Sequence, residues 1–308
     1  MAGVEAIIAA TCCGPLPVMG QVLAHLVGSG GKRLRPMLSL LAGRASGVPS
    51  GSAQLVAAVA EMVHTASLLH DDVVDQPELR RGRPAAPRLF GNTVCVLSGD
   101  ALLAGAIALL ARLERPEPMA TMATCVRRMA LGEMRQLARI GQPHPSLLSY
   151  LQVAHGKTAS LFAWCTAVGR LSPEAYGDAL VRFGRRLGLA FQIADDVLDY
   201  TGDAARTGKK TGADLREGKF TLPLQLACQA RPELLDEVAR IRHTAAAEQA
   251  GAIDALVQQV VATGSPQQAL AMAETLLRRA HRALDTLPPS AARDHLHLLA
   301  DTVVYRSR

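Results

Sequence analysis

The periodicity of apolar residues is the feature that most constrains the fold of this chain. In Ser52–Asp75 the apolar positions recur at steps of three and four, which places them on one face of a helix. Similar periodicity runs through Leu180–Tyr200 and Gln267–Leu287. Runs rich in strand-forming residues are scarce, whereas the helix formers Ala and Leu occur throughout. The sequence therefore predicts an all-α protein. The apolar positions of the first segment are Leu55, Val59, Met62, Ala66, Leu69 and Val73.

Glycine and proline divide the chain into helix-sized segments without an obvious domain linker. At 308 residues the chain is long for one domain but short for two large ones. We see neither a repeated period nor a long polar linker, so we expect one helical domain over residues 1–308. The breaks fall at Gly28–Pro36, Gly47–Gly51, Arg115–Pro118 and Gly141–Pro145.

Charge and composition exclude several functional classes. The formal net charge of +6 suits an anionic small molecule as well as nucleic acid, but an aromatic content of 3% argues against base stacking, so we expect no nucleic acid partner. The six cysteines form no C-x-x-C pair, which indicates reduced core thiols in a cytoplasmic protein. The N-terminus lacks the basic region of a signal peptide. The apolar tract Ala101–Ala111 is shorter than the about 20 residues that a membrane-spanning helix needs. We therefore expect a soluble protein without a membrane span.

Two similar acidic clusters are placed at the C-terminal ends of apolar helical segments. The first is HDDVVD, from His70 to Asp75, and the second lies in FQIADDVLDY, from Phe191 to Tyr200. One such cluster is more often a solvated helix end. Two of them are better explained by hard divalent cations, since carboxylate oxygens with room for water and phosphate are what Mg²⁺ prefers. The carboxylates are Asp71, Asp72, Asp75, Asp195, Asp196 and Asp199.

Basic residues next to these clusters indicate an anionic ligand. Arg80, Arg81 and Arg83 follow the first cluster, and Arg80 and Arg81 are expected one to two turns beyond Asp75. A diphosphate would suit both the cations and the metal site, although simple counter-charge for the aspartates is an alternative. Lys32 and Arg35 are placed at an expected helix start after a glycine loop, a plausible second phosphate site. The Gly-rich stretch Thr207–Pro223 would form a lid or a solvated loop.

Together, these motifs resemble the trans-polyprenyl diphosphate synthases. The resemblance covers Gly30 to Pro223 in order, and includes GGKRLRP, the HDDVVD cluster with the following RRG, KTA at Lys157–Ala159, FQIADDVLD and GKKTGADLREGKFTLP. It implies an all-α fold around a central cavity, a homodimer, and Mg²⁺-dependent condensation of an allylic diphosphate with isopentenyl diphosphate.

The resemblance also assigns roles to individual residues. The six aspartates would bind Mg²⁺ ions that bridge to the allylic diphosphate, which Arg80, Lys157 and Lys209 would also hold. Isopentenyl diphosphate would be bound by Lys32, Arg35, His64 and Arg81, and the site would be completed by Thr158, Gln192 and Lys219.

Small residues before the first cluster bear on product length. In short-product members of the family, bulky side chains near this position close the cavity, whereas here the residues are Ala66 and Ser67. We therefore expect a product of about six to ten isoprene units, the range of quinone side chains. Met129 and Met134 are two alternatives for the cavity floor.

Other functions remain open from the sequence. Within the family, the product could be farnesyl or geranylgeranyl diphosphate. A terpene cyclase would carry a second motif with Asn, Ser and Glu, and a non-catalytic subunit of a heteromeric synthase would have lost acidic or arginine positions. The His-Asp step at His70–Asp72 could also belong to a metal phosphohydrolase, but the further histidines of that class are missing.

Overall fold

The computed structural model describes residues 1–12, 16–28, 32–80, 82–142, 146–174, 176–202, 211–243 and 246–305. Most of these residues are helical. Up to residue 137 the elements are α1 (Ala2–Cys12), α2 (Pro17–Gly28), α3 (Leu34–Ala45), α4 (Ser50–Asp75), β1 (Leu79–Arg80), β2 (Arg83–Pro84), α5 (Ala86–Phe90), α6 (Asn92–Ala111) and α7 (Pro116–Leu137).

The remaining helices follow in chain order. They are α8 (Leu147–Ala154), α9 (Ser160–Thr166), α10 (Gly177–Thr201), α11 (Ala213–Arg216), α12 (Leu222–Ala230), α13 (Leu234–His243), α14 (Ala246–Ala262), α15 (Ser265–Leu284) and α16 (Ala291–Val304). A π-helical turn at His155–Ala159 joins α8 to α9, and a 3₁₀ turn at Ala167–Leu171 follows α9.

The three periodic segments form the helices that their patterns predict. Ser52–Asp75 lies within α4, Leu180–Tyr200 lies within α10, and Gln267–Leu287 overlaps α15. The all-α prediction is confirmed, with one addition, the antiparallel pair of two-residue strands β1 and β2.

The chain divides into two compact units. The first comprises Met1–Val126, Leu161–Val181 and Thr286–Leu296, and the second comprises Arg127–Ser160, Arg182–Asp285 and His297–Arg308. The single domain around a central cavity stays a prediction.

In the first unit, α4 packs against α1, α3 and α6. Its apolar stripe supplies core residues such as Val59, Met62 and Leu69, which are fully buried. Glycines permit the close approach of α6: a Cβ on Gly105 would lie 2.8 Å from Met62 Cε, and one on Gly99 would lie 2.3 Å from His70 Nε2. Helix α6 is therefore fitted to both the middle and the end of α4.

In the second unit, a core forms around α12, which packs against α13, α14 and α15. Buried residues of this core include Tyr200, Leu224, Leu234 and Val260. Tyr200 comes from the C-terminal end of α10, so the helix that carries the second acidic cluster is anchored directly in this core.

Among the described residues, the two helices α4 and α6 are long and apolar enough to cross a membrane by length and composition. The tract Ala101–Ala111 belongs to the 20-residue α6, so the argument from its shortness was wrong. In the 18-residue window tested in each helix, 61% of the α4 window and 39% of the α6 window is buried. A buried core helix meets the same test, so this finding is weak evidence for a span.

Candidate active site

The first acidic cluster occupies the last turn of α4. Asp71 is half-buried and Asp75 is exposed, but Asp72 is fully buried. Asp72 lies three residues after the buried Leu69, so it falls on the packed side of the helix. Asp72 is therefore not part of a solvated helix end.

A reversal of the chain brings Arg80 back to Asp72. Helix α4 ends at Asp75 and is capped by Gln76, which has a left-handed backbone (φ 47°) and donates its N–H to the Asp72 carbonyl. The β1–β2 hairpin follows, and Arg80 Nε and Nη2 lie 2.6 and 2.5 Å from Asp72 Oδ1. Arg80 is therefore not one to two helical turns beyond Asp75, as the sequence analysis expected. Arg81 lies outside the described residues.

The second oxygen of Asp72 has a different environment. Asp72 Oδ2 is buried and has no hydrogen-bond partner among the described residues. An uncompensated carboxylate oxygen in a buried position is costly. This atom is the clearest indication that the first cluster is suited to bind a cation.

The second acidic cluster lies at the end of α10. Asp196 is buried and accepts hydrogen bonds from Tyr150 Oη at 2.6 Å and Gln192 Nε2 at 2.8 Å. The pKa of Asp196 is raised to about 7, chiefly by burial and also by the charges of Asp195 and Asp199, against the lowering effect of those two bonds. A carboxylate in this position gains from a nearby cation.

Sequence analysis missed a further carboxylate of this cluster, Asp214 in the short helix α11. Backbone N–H groups of Ala213 and Asp214 each donate to Asp199 at 3.0 Å, which brings α11 to the end of α10. The pKa of Asp214 is raised well above its ordinary value, first by burial and then by the charges of Asp196 and Asp199. The signal was present as the aspartate in the GADLREGK stretch of the polar loop.

The π-helical turn His155–Ala159 presents two predicted substrate-binding residues. Lys157 Nζ lies 2.5 Å from Glu133 Oε2 and 2.9 Å from Gln136 Oε1, both on α7. Thr158 donates to Gln192 Oε1 at 2.5 Å, and Gln192 in turn donates to Asp196. Thr158, Gln192 and Asp196 therefore form one hydrogen-bonded chain.

A cavity of about 140 Å³ collects most of these groups within the second unit. Its lining includes Tyr150, Lys157, Gln192, Asp196, Asp214 and Lys219. Lys219 also pairs with Glu217. Four of the predicted site residues thus meet at one cavity, together with Tyr150 and Asp214, which sequence analysis did not find. Lys209 lies outside the described residues, as do the other residues of 207–210 at the start of the predicted lid Thr207–Pro223; the rest of that stretch is described and contains α11 and the start of α12.

The GGKRLRP motif distributes its cations over three environments in the first unit. Lys32 is exposed just before α3, and the Arg35 guanidinium lies 5.4 Å above the Phe162 ring. Arg33, which was not predicted to have a role, has a left-handed backbone (φ 46°), and its Nη1 lies 2.6 Å from the buried Glu61. This ion pair fixes the backbone between the two predicted phosphate ligands. His64, also predicted, is half-buried on α4.

The donor set fits a hard divalent cation, although the side chains do not converge on one. Among the described residues, no three His, Cys, Asp or Glu side chains are grouped so that they could hold a metal ion. Buried carboxylates instead contact Arg80, Tyr150, Gln192 and backbone N–H groups. All the donors are oxygens, and Asp72 keeps one buried oxygen without a hydrogen bond. Oxygen donors of this kind suit Mg²⁺ or Ca²⁺.

An all-α chain with two helices that each end in an Asp-rich cluster, flanked by cations, has the features of a prenyltransferase acting on diphosphates. Residues 16–260 match the family model described as polyprenyl synthetase. The chain therefore belongs to the polyprenyl synthetase family and is a prenyltransferase.

Individual relatives extend this result over nearly the whole chain. Octaprenyl diphosphate synthase of Haemophilus influenzae is 39% identical over 298 residues, covering 95% of this chain and 89% of that protein. The geranyl-diphosphate-specific all-trans-nonaprenyl-diphosphate synthase of Rhodobacter capsulatus is 42% identical over 281 residues, covering 90% and 85%.

A solved structure supports the same fold. The polyprenyl synthase of Caulobacter crescentus, crystallised with calcium and isoprenyl diphosphate, superimposes with a TM-score of 0.93 at 36% identity, covering 100% of this chain and 95% of that one. The predicted family, all-α fold and prenyltransferase activity are confirmed.

Proposed function

We propose that this enzyme elongates an allylic diphosphate with isopentenyl diphosphate to an all-trans polyprenyl diphosphate of about six to ten isoprene units, of the kind used for quinone side chains. The observation that carries the proposal is the buried Asp72, which pairs with Arg80 through one oxygen and keeps the other without a hydrogen bond. Octaprenyl and nonaprenyl synthases among its relatives support a long product.

In this proposal the residues keep the roles that the resemblance assigns. The two aspartate clusters, with Asp214 added to the second, would hold Mg²⁺. When bound, the metal absorbs negative charge that develops on the leaving diphosphate. Arg80, Lys157 and Lys209 hold the allylic diphosphate, and Lys32, Arg35, His64 and Arg81 hold isopentenyl diphosphate. Thr158, Gln192 and Lys219 complete the site.

The described contacts support several of these roles. Thr158 fixes the Gln192 amide, and that amide orients the Asp196 carboxylate. Lys157 is held at the cavity by Glu133 and Gln136. The cation formed when the allylic bond ionises must be shielded from water until the double bond of isopentenyl diphosphate attacks. Buried apolar residues of α4, among them Ala60, Val63 and Ala66, would line such a space.

Product analysis tests the function. Purified protein is incubated with Mg²⁺, farnesyl diphosphate and labelled isopentenyl diphosphate, and the dephosphorylated products are separated by thin-layer chromatography. Labelled chains of 30 to 50 carbons are expected. A 20-carbon product would indicate geranylgeranyl diphosphate synthesis, a cyclic hydrocarbon would indicate a cyclase, and absence of turnover would indicate a non-catalytic subunit. Released phosphate would indicate a phosphohydrolase.

Product length provides a second test, at Ser67. Ser67 is half-buried one turn before Asp71, and its hydroxyl donates to the His64 carbonyl at 2.8 Å. We expect Ser67→Phe to shorten the main product to 20 carbons or fewer, because the ring would block the path of the growing tail. Thr65→Phe, on another face of α4, is the matched control and should leave the length unchanged. Equal product length in both variants would contradict the tail path.

The exposure of the two candidate methionines narrows the choice of residue for the floor of the tail cavity. Met134 is 63% exposed, which contradicts its assignment as a closed floor within one chain. Met129 is half-buried and stays a candidate.

We also propose that Mg²⁺ is the cation and that its binding depends on pH through Asp196. Because burial raises the pKa of this carboxyl to about 7, the folded metal-free protein favours its protonated form below pH 7. The stability that this protonation provides is lost as the pH rises through 7, and below pH 7 Mg²⁺ must displace the proton.

The expected result is a larger Mg²⁺-induced rise in Tm at pH 8 than at pH 6. At a Mg²⁺ concentration of 100 Kd the stabilisation should reach about 2.7 kcal/mol, and it should fall toward pH 6 as protons compete. Differential scanning fluorimetry with and without Mg²⁺ measures the shift. Asp196→Asn should reduce the difference between the two pH values, while Asp214, whose pKa is also raised, remains in the cluster. A wild-type shift independent of pH would contradict the prediction.

A homodimer is proposed from the outer face of α6. This face carries Val96, Leu97 and Ile107, which are 37%, 62% and 48% exposed. An apolar stripe along a 20-residue helix is typical of a subunit interface, and a second copy would cover it. We expect Leu97→Asp to convert the dimer to a monomer in light scattering after gel filtration. Leu298→Asp, 63% exposed on α16, should leave the dimer intact. A monomeric wild type would contradict the proposal.

A cytoplasmic location is proposed from the cysteines. Cys95, Cys165 and Cys228 are free and buried, as expected in a reducing compartment. The side chains of Cys12 and Cys13 lie outside the described part of the chain.

A further inference from the structure

The N-terminal half of α10 forms, with α15, a group of arginines outside the candidate active site. Arg182, Arg185 and Arg186 are spaced i, i+3 and i+4, which places them on one helix face. Arg186 Nη1 donates to the Arg279 carbonyl on α15 at 2.8 Å, so the two helices lie side by side here. Arg182, Arg185 and Arg279 are exposed, and Arg186 is half-buried.

These arginine side chains concentrate positive charge where α10 and α15 lie side by side. The pKa of Arg186 is lowered by burial and then by Arg185, Arg182 and Arg279. The pKa of His155 is lowered by burial and then by Arg128 of α7 and by Arg185, so the charge extends to a third helix. We call these five residues the arginine patch; its members are Arg128, Arg182, Arg185, Arg186 and Arg279.

The patch lacks acidic partners in the described part of the chain. None of the five arginines forms an ion pair there, in contrast to Arg80, Arg170 and Arg216. Asp178, one turn before Arg182 on α10, is bound by Arg170 at 2.8 Å. Like charges held this close on packed helices are unfavourable unless an anionic partner offsets them.

Position separates the patch from the candidate active site. Arg182 precedes Asp196 by 14 residues on the same helix, which corresponds to a rise of about 21 Å. No member of the patch lines the 140 Å³ cavity. Its exposed side chains lie on the outer faces of helices, so they suit an extended surface with many negative charges better than one small anion.

We propose that the arginine patch docks the enzyme on a bilayer that contains anionic phospholipids. This inference rests on the proposed function, since a product of six or more isoprene units is too apolar for release into water. An exposed apolar residue supports it: Leu148, 68% exposed, precedes His155 by seven residues and so lies on the same side of its helix. Nucleic acid is disfavoured, because the chain has only 5 Phe, 4 Tyr and 1 Trp for base stacking.

Vesicle flotation of the full-length enzyme tests the proposal. The vesicles are pure phosphatidylcholine, or phosphatidylcholine with 30% phosphatidylglycerol, at low and high salt. We expect binding only to the anionic vesicles, weakened by salt. Each arginine removed should lower the partition coefficient about fivefold, so the triple variant Arg182→Gln/Arg185→Gln/Arg279→Gln should bind on the order of 100-fold more weakly.

A matched variant controls for the loss of charge. Arg44→Gln/Arg112→Gln/Arg231→Gln removes the same charge elsewhere and should retain at least a tenth of the wild-type partition coefficient. Both triple variants should keep wild-type elongation rates in solution, which shows that they fold and separates this proposal from the proposed function. Absence of wild-type binding, equal binding to both vesicle types, equal losses in both variants, or tighter patch-dependent binding to a labelled RNA would each overturn the proposal.

Discussion

Replacing Asp72 by asparagine is expected to lower kcat/KM for isopentenyl diphosphate incorporation by about a thousandfold, in line with the loss of a preorganised electrostatic group. The buried carboxylate has two functions that an amide cannot perform together. Its Oδ1 accepts both contacts from Arg80, and its Oδ2 provides a negative oxygen without another hydrogen bond. The amide would leave Arg80 without its partner and remove charge that a divalent cation needs.

Asp100→Asn is the matched control for this experiment. Asp100 is on α6, its side chain is 60% exposed, and it lies 3.4 Å from His70, the neighbour of the same cluster. Its loss should change kcat/KM by less than threefold. Steady-state kinetics at saturating Mg²⁺ provide the measurement, with circular dichroism to establish that both variants fold. If Asp72→Asn kept more than a tenth of wild-type activity, the assigned role would be wrong.

The second large effect is expected at Asp214. Asp214→Asn should lower kcat/KM by about a hundredfold or more and should weaken Mg²⁺ binding, because the carboxylate contributes charge beside Asp196 and Asp199. It should also stabilise the metal-free protein at pH 8, since one of the mutually repelling carboxylates is gone. These two changes have opposite signs, and a general defect in folding would not produce both.

A nearby aspartate distinguishes this effect from simple disturbance of the loop. Asp254 is exposed and pairs at 2.8 Å with Arg216, which is in the same short helix as Asp214. Asp254→Asn should therefore perturb α11 without changing the Mg²⁺ dependence. Equal kinetic losses in the two variants, or an unchanged Mg²⁺ dependence in Asp214→Asn, would contradict the role of Asp214 in metal binding.

The sequence was sufficient for the elements whose side-chain pattern is regular. Apolar residues at steps of three and four predicted α4 and α10, because burial of one face dominates the energetics of long helices. The aspartates were identifiable by the repetition of one arrangement at two helix ends. Their chemistry follows from residue type and does not require knowledge of tertiary contacts.

The parts that were missed depend on local backbone geometry and on contacts distant in sequence. The left-handed Gln76 turns the chain back to bring Arg80 to Asp72, and no residue pattern signals that conformation. Asp214 reaches the acidic cluster only because α11 interrupts what reads as a polar loop. The ion pair of Glu61 could have been predicted from the sequence. A lone glutamate among buried apolar neighbours needs a cation, and Arg33 is that cation.

The close packing of α6 on α4 would connect the proposed subunit interface to the first acidic cluster. Gly99 of α6 provides the space for the His70 ring beside Asp71, and Leu97, two residues earlier, faces outward on the proposed subunit interface. In the proposed dimer, helix α6 would therefore contact the second copy on one side and the end of α4 that carries the first acidic cluster on the other. Any shift of this helix by a partner would be transmitted to the imidazole within one helical turn. A mutation on α6 that improved the proposed contact between protomers would therefore be tolerated only if it left the position of His70 beside Asp71 unchanged.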